Sequence, residues 1–150
     1  MQRSITYPFP VKALLLFVLY LIYASLSSIY LFLPPLFGVL LFYFVRALDK
    51  QDLSLLLLVS LLALVYEADK GYLVFSSLVY FAFLYKFIFP KLNQLIECKK
   101  CLLFAYTVFA YIGFWAFTLL LQQVLWMEVP MIGWYVLWYI LFEFFVVILL

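Results

Sequence analysis

LFGVLLFYFVRALDKQDLSLLLLVSLLALVY, residues 36–66, holds two apolar runs, Leu36 to Leu48 and Leu53 to Tyr66, on either side of a tip that carries Arg46, Asp49, Lys50 and Asp52. Each run is about 13 or 14 residues long, roughly 20 Å of helix against a hydrocarbon core near 30 Å. Two arrangements fit that length: a pair of short crossing helices in locally thinned lipid, or a re-entrant hairpin that turns inside the bilayer. The tip decides between them. A re-entrant hairpin would drag its charges toward mid-bilayer at about 2.5 to 3.5 kcal/mol each. The sequence therefore predicts two crossings, the second and third of six.

The other runs fall into place around this pair. Val11 to Leu33 is long enough to cross with tilt and stops at Pro34-Pro35, where two missing amide donors break a helix. Glu67-Ala68-Asp69-Lys70-Gly71 forms a polar turn with Gly71 as the helix stop, and Tyr72 to Phe89 is the fourth span. Pro90 to Lys100 is the longest inner loop; its Leu92, Leu95 and Ile96 are spaced to lie on lipid while Lys91, Glu97, Lys99 and Lys100 face water. Cys101 to Leu121 is the fifth span, Gln122 to Pro130 an outer loop with Glu128, and Met131 to Leu150 the sixth span. Trp126 and Trp134 bracket that last loop at headgroup level.

Charge orients the whole. Of nine basic residues, eight (Arg3, Lys12, Arg46, Lys50, Lys86, Lys91, Lys99 and Lys100) fall in alternate gaps, and the opposite gaps hold only Lys70. By the positive-inside rule both termini of this multi-pass chain are cytoplasmic. Composition agrees: 71% of residues are hydrophobic and 11% charged, too few to clothe a soluble domain. The fold class is all-α and polytopic, one six-span domain over residues 1–150 with short loops. The net charge of +2 is dispersed over several loops, so nucleic-acid binding is excluded. Arg3, Lys12 and the apolar stretch after them resemble a signal sequence, but the run continues through Ile29 to Leu33 and reads as an uncleaved span.

Few residues could carry chemistry. Glu143 is the one ionisable residue deep in a span, about 16 Å from the outer end of the last helix. An ionised carboxylate there is costly, so it must be neutral, paired, or turned toward a protein-lined interior. Its nearest local partner is Tyr139, one turn back, and another helix is the alternative. A partner-protein or ligand contact and proton coupling are the functional readings. Glu67 and Asp69, beside Lys70, form the one outer acidic cluster, read as a solvated turn or a contact for an external protein. Cys98-Lys99-Lys100-Cys101 has the spacing of a redox pair or of half a zinc site. With no histidine and no third cysteine a zinc site cannot be completed, and on the cytoplasmic side the thiols stay reduced. Ser25, Ser27, Ser28, Ser76, Ser77 and Gly113 are small residues that let helices approach closely. No phosphate-cradling loop, nucleophile elbow or metalloprotease motif occurs, so neither catalysis nor a cofactor is expected.

The order of these features resembles the rod shape-determining MreD family: a long first span, prolines before a short second span (Pro34-Pro35), a basic turn (Arg46, Lys50), a third span closing on an acid followed by a glycine (Glu67, Gly71), then Ser76-Ser77 at the fourth. The family usually has aspartate where Glu67 stands and further glycines around it. The resemblance implies a non-enzymatic membrane scaffold of cell elongation that binds an MreC-like single-span protein and works with an MreB-like filament and with RodA-like and penicillin-binding-protein synthases. Under it the candidate contacts are Glu143, Tyr139, Glu67, Asp69, Lys91, Lys99 and Lys100. The fold also resembles the substrate-binding subunits of energy-coupling-factor vitamin transporters, which makes small-molecule binding the rival reading. Such a subunit needs a polar-lined cavity, for which the sequence offers Ser60, Thr118, Gln122, Gln123 and Glu128. A membrane thiol oxidoreductase built on Cys98 and Cys101 is the third.

Overall fold

A computed structural model describes residues 9–126, 128, 131 and 133–150. Among these, every regular element is helical, and the helices join into six continuous rods. They are α1 (Phe9–Ile29), α2 (Phe37–Lys50), α3 (Leu53–Lys70), α4 (residues 76–95), α5 (Lys99–Leu125) and α6 (Tyr135–Leu149). Two segments, Val11–Ile29 and Lys99–Leu125, are long and apolar enough to cross a membrane, and Tyr135–Leu149 is a shorter apolar helix. Arg3 and Pro130 lie outside the described residues.

α2 is the axis of the bundle, packed against α3, α5 and α6. Seven of its 14 residues are buried, whereas α1 leans chiefly on α3 and leaves Val11, Leu14, Leu15, Leu19 and Ile22 more than half exposed. Phe37, the first residue of α2, is the hub of the aromatic core, with ring centroids 4.7 Å from Tyr66, 4.8 Å from Phe114 and 5.0 Å from Phe81.

The shortness of α2 has a local cause that does not need thinned lipid. α1 ends at Ile29, one turn before the expected Leu33, and residues 30–36 fold back along it. The Tyr23 hydroxyl, about 9 Å short of the helix end, donates to the Pro34 carbonyl at 2.7 Å. Ser27 Oγ donates to Leu33 O at 3.4 Å, and Tyr139 of α6 donates to Leu31 O. Non-helical backbone away from water needs such internal partners, and prolines supply no amide of their own. α2 therefore begins well inside the bundle, at Phe37, directly after Leu36 in a left-handed conformation (φ 59°).

Other boundaries shift for equally local reasons. Asp52 caps α3 through the amides of Ser54 and Leu55, at 3.1 and 3.3 Å. α3 runs to Lys70, a turn past the expected Tyr66, and stops where Gly71 takes φ 71°. α4 starts at Ser76 instead of Tyr72 because Phe75 is left-handed (φ 69°), and it passes through the expected loop to Leu95. Pro90 cannot donate to Lys86, and the helix widens just before it into a π-turn, Leu84–Ile88, closed by Phe89 N–H on Leu84 O. The loop expected over Pro90 to Lys100 is thereby reduced to Ile96–Cys98. Leu92 packs against the core while Leu95 is exposed, so these two leucines do not share one surface.

α5 carries a second π-turn, Phe109–Gly113, which frees a carbonyl: Tyr80 of α4 donates to Phe109 O at 2.6 Å. A Cβ on Gly113 would overlap the Tyr80 hydroxyl, so this glycine admits a side chain instead of a helix backbone. At one end of the bundle Ser28 of α1 meets Asp69 and Lys70 of α3; at the other, Tyr85 of α4 donates to Asp49 of α2 at 3.0 Å. These are the Lys70 end and the Lys50 end below.

Candidate functional site

Two carboxylates are wholly buried, and both dock on the first turn of a neighbouring helix, where unpaired amides and the helix dipole favour negative charge. Glu67 serves α4. Its Oε2 accepts from Phe75 N–H at 2.7 Å, and its Oε1 accepts from Ser77 N–H at 2.5 Å, Ser77 Oγ at 2.5 Å and Ser76 Oγ at 3.3 Å. The expected solvated turn is corrected on this point: Glu67 belongs to the last turn of α3 and faces inward. It continues the buried stripe Val59, Ala63, Glu67 at intervals of four, a periodicity visible in the sequence beneath the polar cluster. Asp69 lies on the other face, exposed, accepting from Ser28 and 3.6 Å from Lys70 Nζ. Ser76 and Ser77 are thus donors to Glu67 as well as small residues.

Glu143 serves α2. Its Oε2 accepts from Val39 N–H at 3.2 Å, and its Oε1 accepts from the Tyr111 hydroxyl of α5. Gly38 makes the approach possible, since a Cβ there would stand 2.6 Å from Oε2. Tyr139, the expected local partner, points elsewhere and donates to Leu31 O, so the interhelical alternative holds. Helical side chains lean toward the N-terminus, which carries the Glu143 carboxylate up to the sunken start of α2. Neither carboxylate reaches the molecular surface. Tyr111 and Gly38 were missed because nothing local in the sequence ties them to a residue on the last helix.

A cavity of about 250 Å³ opens toward the Lys70 end. Its wall includes Tyr66, Lys70, Tyr72, Tyr111, Tyr135 and Tyr139, so phenols supply most of its polar atoms. Of the polar residues expected in such a cavity, none lines it: Thr118, Gln122 and Glu128 line a small neighbouring pocket, Gln123 an open one, and Ser60 donates to its own helix at Leu56 O, 2.7 Å. At the Lys50 end Lys91, Lys99 and Lys100 are exposed together with Cys98 and Cys101, both free thiols. Among the described residues no three His, Cys, Asp or Glu side chains gather where they could hold a metal. Comparison with protein-family models, with curated proteins and with solved structures finds no match to this chain.

Proposed function

We propose that this chain is a six-span protein of the bacterial inner membrane, with both termini cytoplasmic, that acts without catalysis as a scaffold of the MreD kind. In this reading it binds an MreC-like single-span protein and helps organise the filament and synthases of lateral wall growth. The observation that carries it is the use made of the buried carboxylates. Both are consumed in fastening helix ends, so the interior's strongest polar groups build a rigid body and leave recognition to the outside. Exposed apolar side chains along α1 and α6, and exposed Trp126 and Trp134 beside the last connection, suit a lipid surround. The charged contacts then fall on exposed residues: Lys91, Lys99 and Lys100 at the cytoplasmic end, and Asp69 at the other.

Co-purification tests this. Lys91→Glu with Lys99→Glu and Lys100→Glu should abolish capture of the MreC-like protein while thermal unfolding of the bundle is unchanged; undiminished capture would sink the proposed surface. A reporter inserted beside Glu128 should be periplasmic, and cytoplasmic activity there would overturn the topology.

The tyrosine-lined cavity favours a second reading, a substrate-binding subunit for a small molecule. Its volume of about 250 Å³ falls below the roughly 300 Å³ at which ligand pockets begin, which places this reading second.

A further inference from the structure

The connection between α4 and α5 sets two thiols on one turn. Cys98 is the residue that caps α5, in an extended conformation (φ −79°, ψ 113°), with its carbonyl accepting from Leu102 N–H at 3.0 Å. Cys101 follows three residues on. This is the C-x-x-C spacing at which paired thiols form reversible disulfides. Both thiols are free and exposed. Lys99 and Lys100 lie between the two cysteines in the chain, and one acid, Glu97, precedes Cys98. The Cys101 thiol and amide, then the amide and charge of Lys100, hold the Cys98 thiol below the usual thiol range.

We propose that Cys98 and Cys101 form an exchange-active dithiol whose substrate is an anionic low-molecular-weight disulfide. The pair spacing supplies the chemistry, and Lys99 and Lys100 between the thiols supply the preference for an anion. The Cys98 thiolate attacks one sulfur of the disulfide R–S–S–R, forming a mixed disulfide and expelling one R–S⁻. Cys101 gives up its proton and attacks the Cys98 sulfur, closing the Cys98–Cys101 disulfide and expelling the second R–S⁻. The protein loses two electrons, the small disulfide gains them, and the two departing thiolates take up the two protons released by the cysteines. The inference is independent of the scaffold role and adds a redox-responsive site where α4 meets α5.

The test uses the full chain in detergent micelles with oxidised glutathione as the probe, read by intact mass after trapping free thiols. Wild type should pass to an internal disulfide with no lasting adduct. Cys101→Ser should stop at one glutathione adduct on Cys98, and Cys98→Ser should react about tenfold more slowly, as expected for a thiol without the lowered pKa. In Cys101→Ser the serine hydroxyl takes the place of the Cys101 thiol as donor, and the Cys101 position's amide and Lys100 remain, so alkylation of Cys98 should persist below pH 8.5, the ordinary thiol pKa. Equal rates for the two single variants, an adduct that persists in wild type, or a disulfide linking two chains would overturn the proposal. Since both positions are exposed, unchanged helicity of the serine variants keeps the comparison readable.

Discussion

Glu67 and Glu143 are both glutamates without exposed surface, and each caps a helix that is not its own, but one reaches across 8 to 10 residues and the other across 104. Glu67 fastens consecutive helices, α3 to α4, through four donors around a single turn. Glu143 fastens the last helix to the second, and brings α5 in through Tyr111. The local lock can form as soon as its hairpin does; the distant one closes the bundle. What the pair teaches is that a short, sunken helix is viable in an apolar bundle when a carboxylate from elsewhere satisfies its first turn.

The difference between the two locks should appear as different energetic costs. Glu143→Ala gives the largest effect, because it unties α6 from α2 and α5 together and leaves Val39 N–H and the Tyr111 hydroxyl without their partner at about 1–3 kcal/mol each. The loss should show as a much lower unfolding midpoint of the whole bundle in micelles. Glu67→Ala frees more donors yet should cost less, about 1–3 kcal/mol. A small pocket beside Gly71, Leu73 and Ser76 borders this helix start, and the Ser76 hydroxyl can turn into it. Hydrogen exchange should then rise around Phe75 to Ser77 and stay unchanged in α2. An equal or reversed order of midpoints would break the distinction between local and closing locks.

The legibility of the two sites follows the same division. Helix number and approximate limits were readable because apolar runs and charged gaps alternate so plainly. Gly71 as a stop was readable for the same reason, whereas Asp52, read only as a tip charge, proved to cap α3. The fold-back of residues 30–36 was not: Pro34 and Pro35 announce a break, but its direction is fixed by Tyr23, Ser27 and Tyr139 hydroxyls arriving from two helices. Glu143 stood out as a lone acid within an apolar run, while its partners did not, since they are an amide, a tyrosine and the bare Cα of a glycine on other helices. Glu67 was misread because Asp69 and Lys70 beside it made the whole cluster look solvated. Its spacing from Val59 and Ala63 held the contrary signal.

The Glu143 carboxylate sits against the bare start of α2, and a double-mutant cycle between Gly38 and Glu143 measures that contact. Gly38→Ala alone should destabilise by about 1–3 kcal/mol, since its Cβ displaces a well-packed neighbour. In the Glu143→Ala background the same change should be neutral or stabilising, as alanine is the better helix former by up to about 1 kcal/mol. Coupling above about 1 kcal/mol is the predicted result; costs that add to within roughly 0.5 kcal/mol would contradict the contact.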